Sequence, residues 1–200
     1  MSEFIEAQNI DIGYSSAANG GDLIFVDELL KQKRAAHVIL PFAEEQFRNT
    51  TLAVSGDGED EWTERFDHVV SGEREGAVLW HASQSTVDAA GMDPYYAHTN
   101  RVILGMGRLK ARELDGELVA LAVMDPATDK SIGGTQAAVT EWQSQNIPSA
   151  LWAPMEGSWR DGKQYEPPSD EEKSAQDVDA LTQSLQGFDP TKAFVVNRTL

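Results

Sequence analysis

Along the first forty residues the apolar positions change period twice. Ile10, Ile12 and Tyr14 alternate as in a half-buried strand, and Leu23, Ile24, Val26, Leu29 and Leu30 then recur at helical spacing. Between them lies a run of small residues, Ser15-Ser16-Ala17-Ala18-Asn19-Gly20-Gly21-Asp22. The helix is predicted to reach about residue 34, where Lys31, Lys33 and Arg34 suit the negative end of the helix dipole. Ala36-His37-Val38-Ile39-Leu40 follows at once as an apolar strand stopped by Pro41. Strand, helix, strand with so short a second connection is the signature of a parallel pair with a crossover helix.

The pattern continues in the same alternation. Residues 1–8 read as a short helical lead-in. Residues 43–47 give one or two helical turns, with Phe42 and Phe47 packing back on the sheet, and 49–60 read as loop. Trp62, Phe66, Val69 and Val70 predict an amphipathic helix over 61–71, followed by a strand at 77–80 and a polar loop over 81–93. From Pro94, at a first-turn position where a missing N–H is harmless, some twenty residues are helical, with Gly116 as the stop. Residues 118–124 read as a strand buried on both faces. Ser131-Ile132-Gly133-Gly134-Thr135 then opens a helix through Ala137, Val139 and Trp142, and 150–152 read as an edge strand. The expected class is α/β, a mostly parallel sheet flanked by helices. It occupies 1–154, and 155–200 form a poorly structured acidic extension with a weak helix at 175–185 and an edge-strand candidate at 194–196.

Composition narrows the function. Two hundred residues with 40% hydrophobic content suffice for one domain with its own core. Cysteine is absent, which removes disulfides, thiolate metal sites and a cysteine nucleophile. No apolar run has the length of a membrane span, and no signal-peptide pattern opens the chain, so a cytoplasmic location is expected. The net charge of −17 argues against nucleic acid as a partner, because such affinity rests on cations neutralising phosphates. Acidic residues concentrate between Asp57 and Glu75 and read as a solvated face.

A small phosphorylated ligand needs only a local nest of donors, and strand, glycine loop, helix occurs twice. The loops at Ser15, Ser16, Asn19, Gly20, Gly21 and Asp22, and at Gly133, Gly134 and Thr135, leave backbone N–H groups at helix N-termini where an anion can dock. In an open parallel sheet both loops face the carboxyl edge of the strands, which implies a nucleotide-like ligand. Neither loop is a P-loop or a G-x-G-x-x-G fingerprint. Tyr96 and Asn100 are placed near the sugar or base, and Asp125, at a strand's carboxyl end, near a ribose hydroxyl. Asp22 is a helix cap or a general base, and Ser15 and Ser16, lacking a nucleophile elbow, serve as hydrogen-bonding groups. His37 reads as a core or edge residue, His68 as solvated, and His81 and His98 as rim residues. No His, Asp and Glu spacing resembles a metal site. The pattern does not specify a cofactor.

The run from Gly13 to Phe25, His37-Val38-Ile39-Leu40-Pro41-Phe42, Trp62 with Arg65-Phe66, Asn100-Arg101, and Gly133-Gly134-Thr135 with Val139 and Trp142 resembles bacterial Rossmann-like domains of the SLOG superfamily. Such domains occur beside tetratricopeptide-repeat or nucleotide-cyclase domains. The resemblance implies a Rossmann-like fold and a nucleotide-sensing role. The lonely-guy phosphoribohydrolases of that superfamily carry a catalytic glutamate three residues after the glycine-loop threonine; here that residue is Ala138, and Glu141 lies six residues past Thr135. The family also has a strand-helix unit ahead of the Gly13 region, which is not seen in this chain. The leading expectation is therefore a binding or sensing domain for a nucleotide or a nucleotide derivative. The alternatives are a nucleotide N-glycosidase or transferase using Asp22, Asp125 or Glu141, and a non-catalytic module that binds a partner domain or forms a homo-oligomer.

Overall fold

The computed structural model describes residues 1–52, 59–71, 75–87, 91–124, 134–153 and 158–161. Helix α1 (Ser2–Ala7) leads into strand β1 (Ile12–Ser15), helix α2 (Gly21–Lys31) and strand β2 (Ala35–Leu40). Helix α3 (Glu44–Phe47) passes directly into a π-helical turn (Arg48–Leu52), then come helix α4 (Glu59–Val70) and strand β3 (Ala77–His81). Helix α5 (Met92–Glu113) crosses to strand β4 (Ala120–Val123), and helix α6 (Thr135–Ser144), strand β5 (Ser149–Ala153) and strand β6 (Ser158–Asp161) complete the order. The class is mixed α/β with parallel sheets flanked by helices, as the pattern predicts.

Strands β1, β2 and β3 form one parallel sheet, with Tyr14 opposite His37 and Val38 opposite Leu79. A second sheet has the order β4-β5-β6, parallel at β4-β5 and antiparallel at β5-β6. Placed side by side they read 3-2-1 then 4-5-6, the order of a doubly wound Rossmann-like sheet, but no strand pairing joins β1 to β4. One expectation is corrected: residues 149–153 form the middle strand of their sheet, because β6 covers the side expected to be an edge. The loop expected from residue 49 begins as a π-helical turn, whose Thr51 and Leu52 are buried. The elements expected at 175–185 and 194–196 lie outside the described residues.

Glycine decides how closely the first layer packs. A Cβ on Gly13 would stand 2.2 Å from Leu29 Cδ1 and 2.5 Å from Phe25 Cε1, so only glycine lets α2 lie this close to β1. Leu23, Ile24, Val26 and Leu29 of α2 are fully buried with Val38, Leu40, Phe42, Phe47, Leu52 and Phe66, each such side chain contributing roughly 1.5–3 kcal/mol by burial. Asp27 of α2 is also buried and is held by Lys31 at 2.9 Å and by Arg65 of α4 at 4.0 Å, which ties the two helices together. In α4, Phe66 and Val69 are buried while Glu61, Glu64 and His68 are exposed, so the acidic side is a solvated face.

A second core lies between α5, α6 and the other sheet, with Leu104, Ala122, Val139, Trp142 and Leu151 at its centre. The cores are joined through β4, whose Leu121 belongs to the first while Ala120 and Ala122 belong to the second. Strand β4 is therefore buried on both faces, as its continuous apolar run predicts.

Candidate functional site

The glycine loop leaves β1 at its carboxyl end and turns straight into α2. Gly20 has φ +81°, the left-handed region that glycine enters without strain, and a Cβ there would meet nothing within 4 Å. Asn19, Gly20 and Gly21 are half-buried, whereas Ser15, Ser16, Ala17, Ala18 and Asp22 are buried. The inner half of the loop closes on Asp22. Ser16 Oγ donates to Asp22 Oδ2, the Ala18 N–H donates to the same oxygen at 3.2 Å, and the Ala17 N–H reaches Ser15 Oγ at 3.4 Å. Burial pushes the Asp22 carboxyl above its ordinary range, and the hydroxyl and amide donors from Ser16 and Ala18 pull against that rise. Asp22 thus occupies, from inside the fold, the anion position that the loop offers.

The accessible rim is built outward from Asn19. Its Nδ2 donates to the Leu52 carbonyl at 3.3 Å, and its Oδ1 is buried without a hydrogen-bond partner among the described residues. The neighbouring Thr51 Oγ1 lies 3.1 Å from Tyr96 Oη, and the Tyr96 ring meets Phe42 edge-on at 5.6 Å. Tyr96 therefore connects to the glycine loop by way of the π-helical turn. Gly134 caps α6 in an extended conformation and Thr135 is fully buried, both following the carboxyl end of β4. Asp125 and Gly133 lie outside the described residues.

Other candidates fall elsewhere. Asn100 lines the cleft between β1 and β4. Glu141 is paired with Arg101 of α5 at 3.5 Å and accepts from Gln145 at 3.1 Å. His68 and His98 are exposed and His81 is half-buried. Among the described residues no group of three or more His, Asp or Glu could hold a metal ion. No helix among them is long and apolar enough to cross a membrane.

Two features were not anticipated from sequence. The first is an aromatic row across β1, β2 and β3. Tyr14 stacks on His37 at 4.7 Å, His37 on Trp80 at 6.3 Å, and Trp80 Nε1 donates to His37 Nδ1 at 3.0 Å. That bond requires an unprotonated Nδ1, and burial, reinforced by the Lys110 charge, holds the imidazole below its ordinary range. The alternation of β1 and β2 places Tyr14 and His37 on one face, which is the signal that could have found the pair; Trp80 needed the β2-β3 register. The second feature is the cleft, about 440 Å³, between β1 and β4. It is walled by Ile12, Phe25, Ile103, Leu118, Leu121 and Trp142, with Asp11, Lys110 and Glu117 among its polar lining. Comparison with known proteins finds no matching family model, no matching curated protein and no matching solved structure.

Proposed function

We propose that this chain is a cytoplasmic, bacterial SLOG-type domain that binds or senses a nucleotide or nucleotide derivative at the carboxyl rim of β1 and β4, without turning it over. The observation that carries this reading is the open, left-handed Gly20 between Asn19 and the first amides of α2, beside the break between the 3-2-1 and 4-5-6 halves. The ligand contacts the outer side of the loop, Asn19, Gly20 and Gly21, because the inner donors already serve Asp22. The buried Asp22 side chain fills the space deeper in the loop, so the charged group stays at the helix mouth. Two of the candidate acids and bases are already engaged, which favours binding over turnover: Asp22 is closed inside the loop, and Glu141 is paired with Arg101 of α5.

The test is a thermal-shift titration with ATP, NAD and ADP-ribose, followed by chromatography of the incubated compound. A ligand at a hundred times its Kd adds about 2.7 kcal/mol, a rise in Tm of about 5–10 °C for a domain of this size. The expected result is such a rise for at least one compound, lost in Gly21→Leu, with the compound recovered intact. No shift with any of them, or full affinity in Gly21→Leu, overturns the reading, and release of free base moves it to the N-glycosidase alternative.

A further inference from the structure

The cleft between the half-sheets runs between two strand edges that do not pair with each other. In a parallel ladder successive residues turn their peptide groups to opposite sides. The Ala35 N–H donates to the Asp11 carbonyl at 3.1 Å, which fixes the phase of β1: Gly13 and Ser15 face β2, and Ile12 and Tyr14 turn their peptide groups toward β4. On the other side, the Ala120 N–H donates to Pro148 at 2.8 Å and the Met124 N–H to Trp152 at 3.1 Å. Residues 120, 122 and 124 therefore face β5, and Leu121 and Val123 turn toward β1. Among the described residues these four sets of inner-edge peptide groups have no backbone partner, and unpaired backbone groups inside a fold are costly.

The two edges are also in phase. Tyr14 of β1 lies on the α5 side of the sheet, beside Gly107, while Leu121 of β4 packs into the core that contains α2. Residues just before β1 and just before β4 both line the cleft, as they do where two strands run the same way. An extended segment laid between them in the same direction would meet Ile12 and Tyr14 on one edge and Leu121 and Val123 on the other. Its side chains would alternate between the Gly107 and Ala111 side of α5, where Leu118 and Tyr14 stand next to Gly107, and Phe25 of α2. Glu117 and Asp11, the latter 3.8 Å from the Arg34 guanidinium, stand exposed at the amino-terminal mouth of a chain with net charge −17, and the Lys110 ammonium there is already held by Glu113 at 2.6 Å.

We propose that this slot accepts an extended segment of a partner polypeptide as a parallel seventh strand between β1 and β4, apolar in its middle and basic at its amino-terminal flank. Main-chain hydrogen bonds to two edges provide the affinity, and the α5 and α2 walls and the acidic mouth provide the selectivity.

The test follows amide hydrogen exchange of the full chain with a synthetic probe peptide, two lysines followed by alternating valine and threonine. Protection is expected to rise at Ile12, Tyr14, Leu121 and Val123, with little change at Gly13 and Ala122, which already pair. Val123→Pro removes a donor turned toward β1 just beyond the cleft lining while keeping the donors of Ala122 and Met124 to β5, and should weaken peptide binding about tenfold or more. Gly107→Leu fills the slot from the α5 side, where the nearest obstacle is the flexible end of Leu118, and should weaken it without unfolding the helix. Unchanged exchange at the four amides, or equal peptide binding by both variants and the parent chain, overturns the proposal. Saturable uptake of the dye anilinonaphthalene sulfonate that the peptide fails to displace also overturns it and assigns the cleft to a small apolar molecule.

Discussion

The two ends of the strands handle backbone polarity in opposite ways. At the carboxyl end of β1 the glycine loop is folded inward, and one buried carboxylate, Asp22, takes the donors of Ser16 and Ala18. At the amino end, β1 and β4 part around a cleft of about 440 Å³ and leave inner-edge groups without partners. The first end has the glycine signature of a binding site but most of its donors are engaged; the second has no motif but has volume and unused backbone groups. A glycine loop marks where a chain can approach a ligand, whereas a cavity arises wherever neighbouring elements fail to meet. The two need not coincide.

The comparison can be broken first through the cores that hold each half. Leu29→Ala, in the first core, and Leu151→Ala, in the second, should each cost about 2–5 kcal/mol in chemical denaturation. Because Leu121 links the cores, each variant should still unfold in one transition; two separate transitions would show that the halves fold independently. Next in size is Gly13→Val, where the new side chain meets Leu29 and Phe25; overpacking of this kind costs about 1–3 kcal/mol, most of it in the β1-α2 layer.

The closed end is sharpened by Asp22→Ala, which leaves the Ser16 and Ala18 donors buried without an acceptor and should lower stability by about 1–3 kcal/mol, measured by urea unfolding. Asp22→Asn separates charge from shape. The folded-state pKa of Asp22 is raised, so the native chain holds this proton while the unfolded chain releases it above about pH 4. Its contribution to stability therefore falls as pH climbs from there toward the raised value, and the asparagine variant should lose that part of the slope.

The smallest effect concerns the aromatic row. The folded-state pKa of His37 is lowered, so the unfolded chain binds a proton more readily below about pH 6.5 and stability declines as pH falls. His37→Gln should flatten this decline in thermal unfolding curves recorded between pH 5 and pH 7. An unchanged slope would mean that the Trp80 hydrogen bond does not hold the imidazole neutral.

Much of the fold was legible because it is local. The alternation at Ile10, Ile12 and Tyr14, the helical spacing from Leu23 to Leu30 and the short link to Ala36 led directly to the parallel pair β1-β2. Pro94 marked the first turn of α5, and the apolar run before Met124 identified a strand buried on both faces. The glycine loop was placed correctly between strand and helix, but the role of Asp22 was open, because sequence spacing alone does not show which way a carboxylate turns at a helix start. Asn100, read as lying near the sugar or base, lines the cleft between β1 and β4, because α5, a helix of 22 residues, runs past it. Thr51 was missed as a link to Tyr96 because a π-helical turn has no sequence signature comparable to a helix cap.

By itself the sequence determined the element order, the buried faces and the places where the chain turns, since periodic burial, proline and glycine act over a few residues. Only the tertiary structure decided that β5 has a strand on each side, that Asp22 closes the glycine loop, and that β1 and β4 stand apart. Those outcomes depend on which distant segments meet. Strand pairing and the burial of a charge are settled by the competition among all the surfaces a chain presents, and no local pattern records the result.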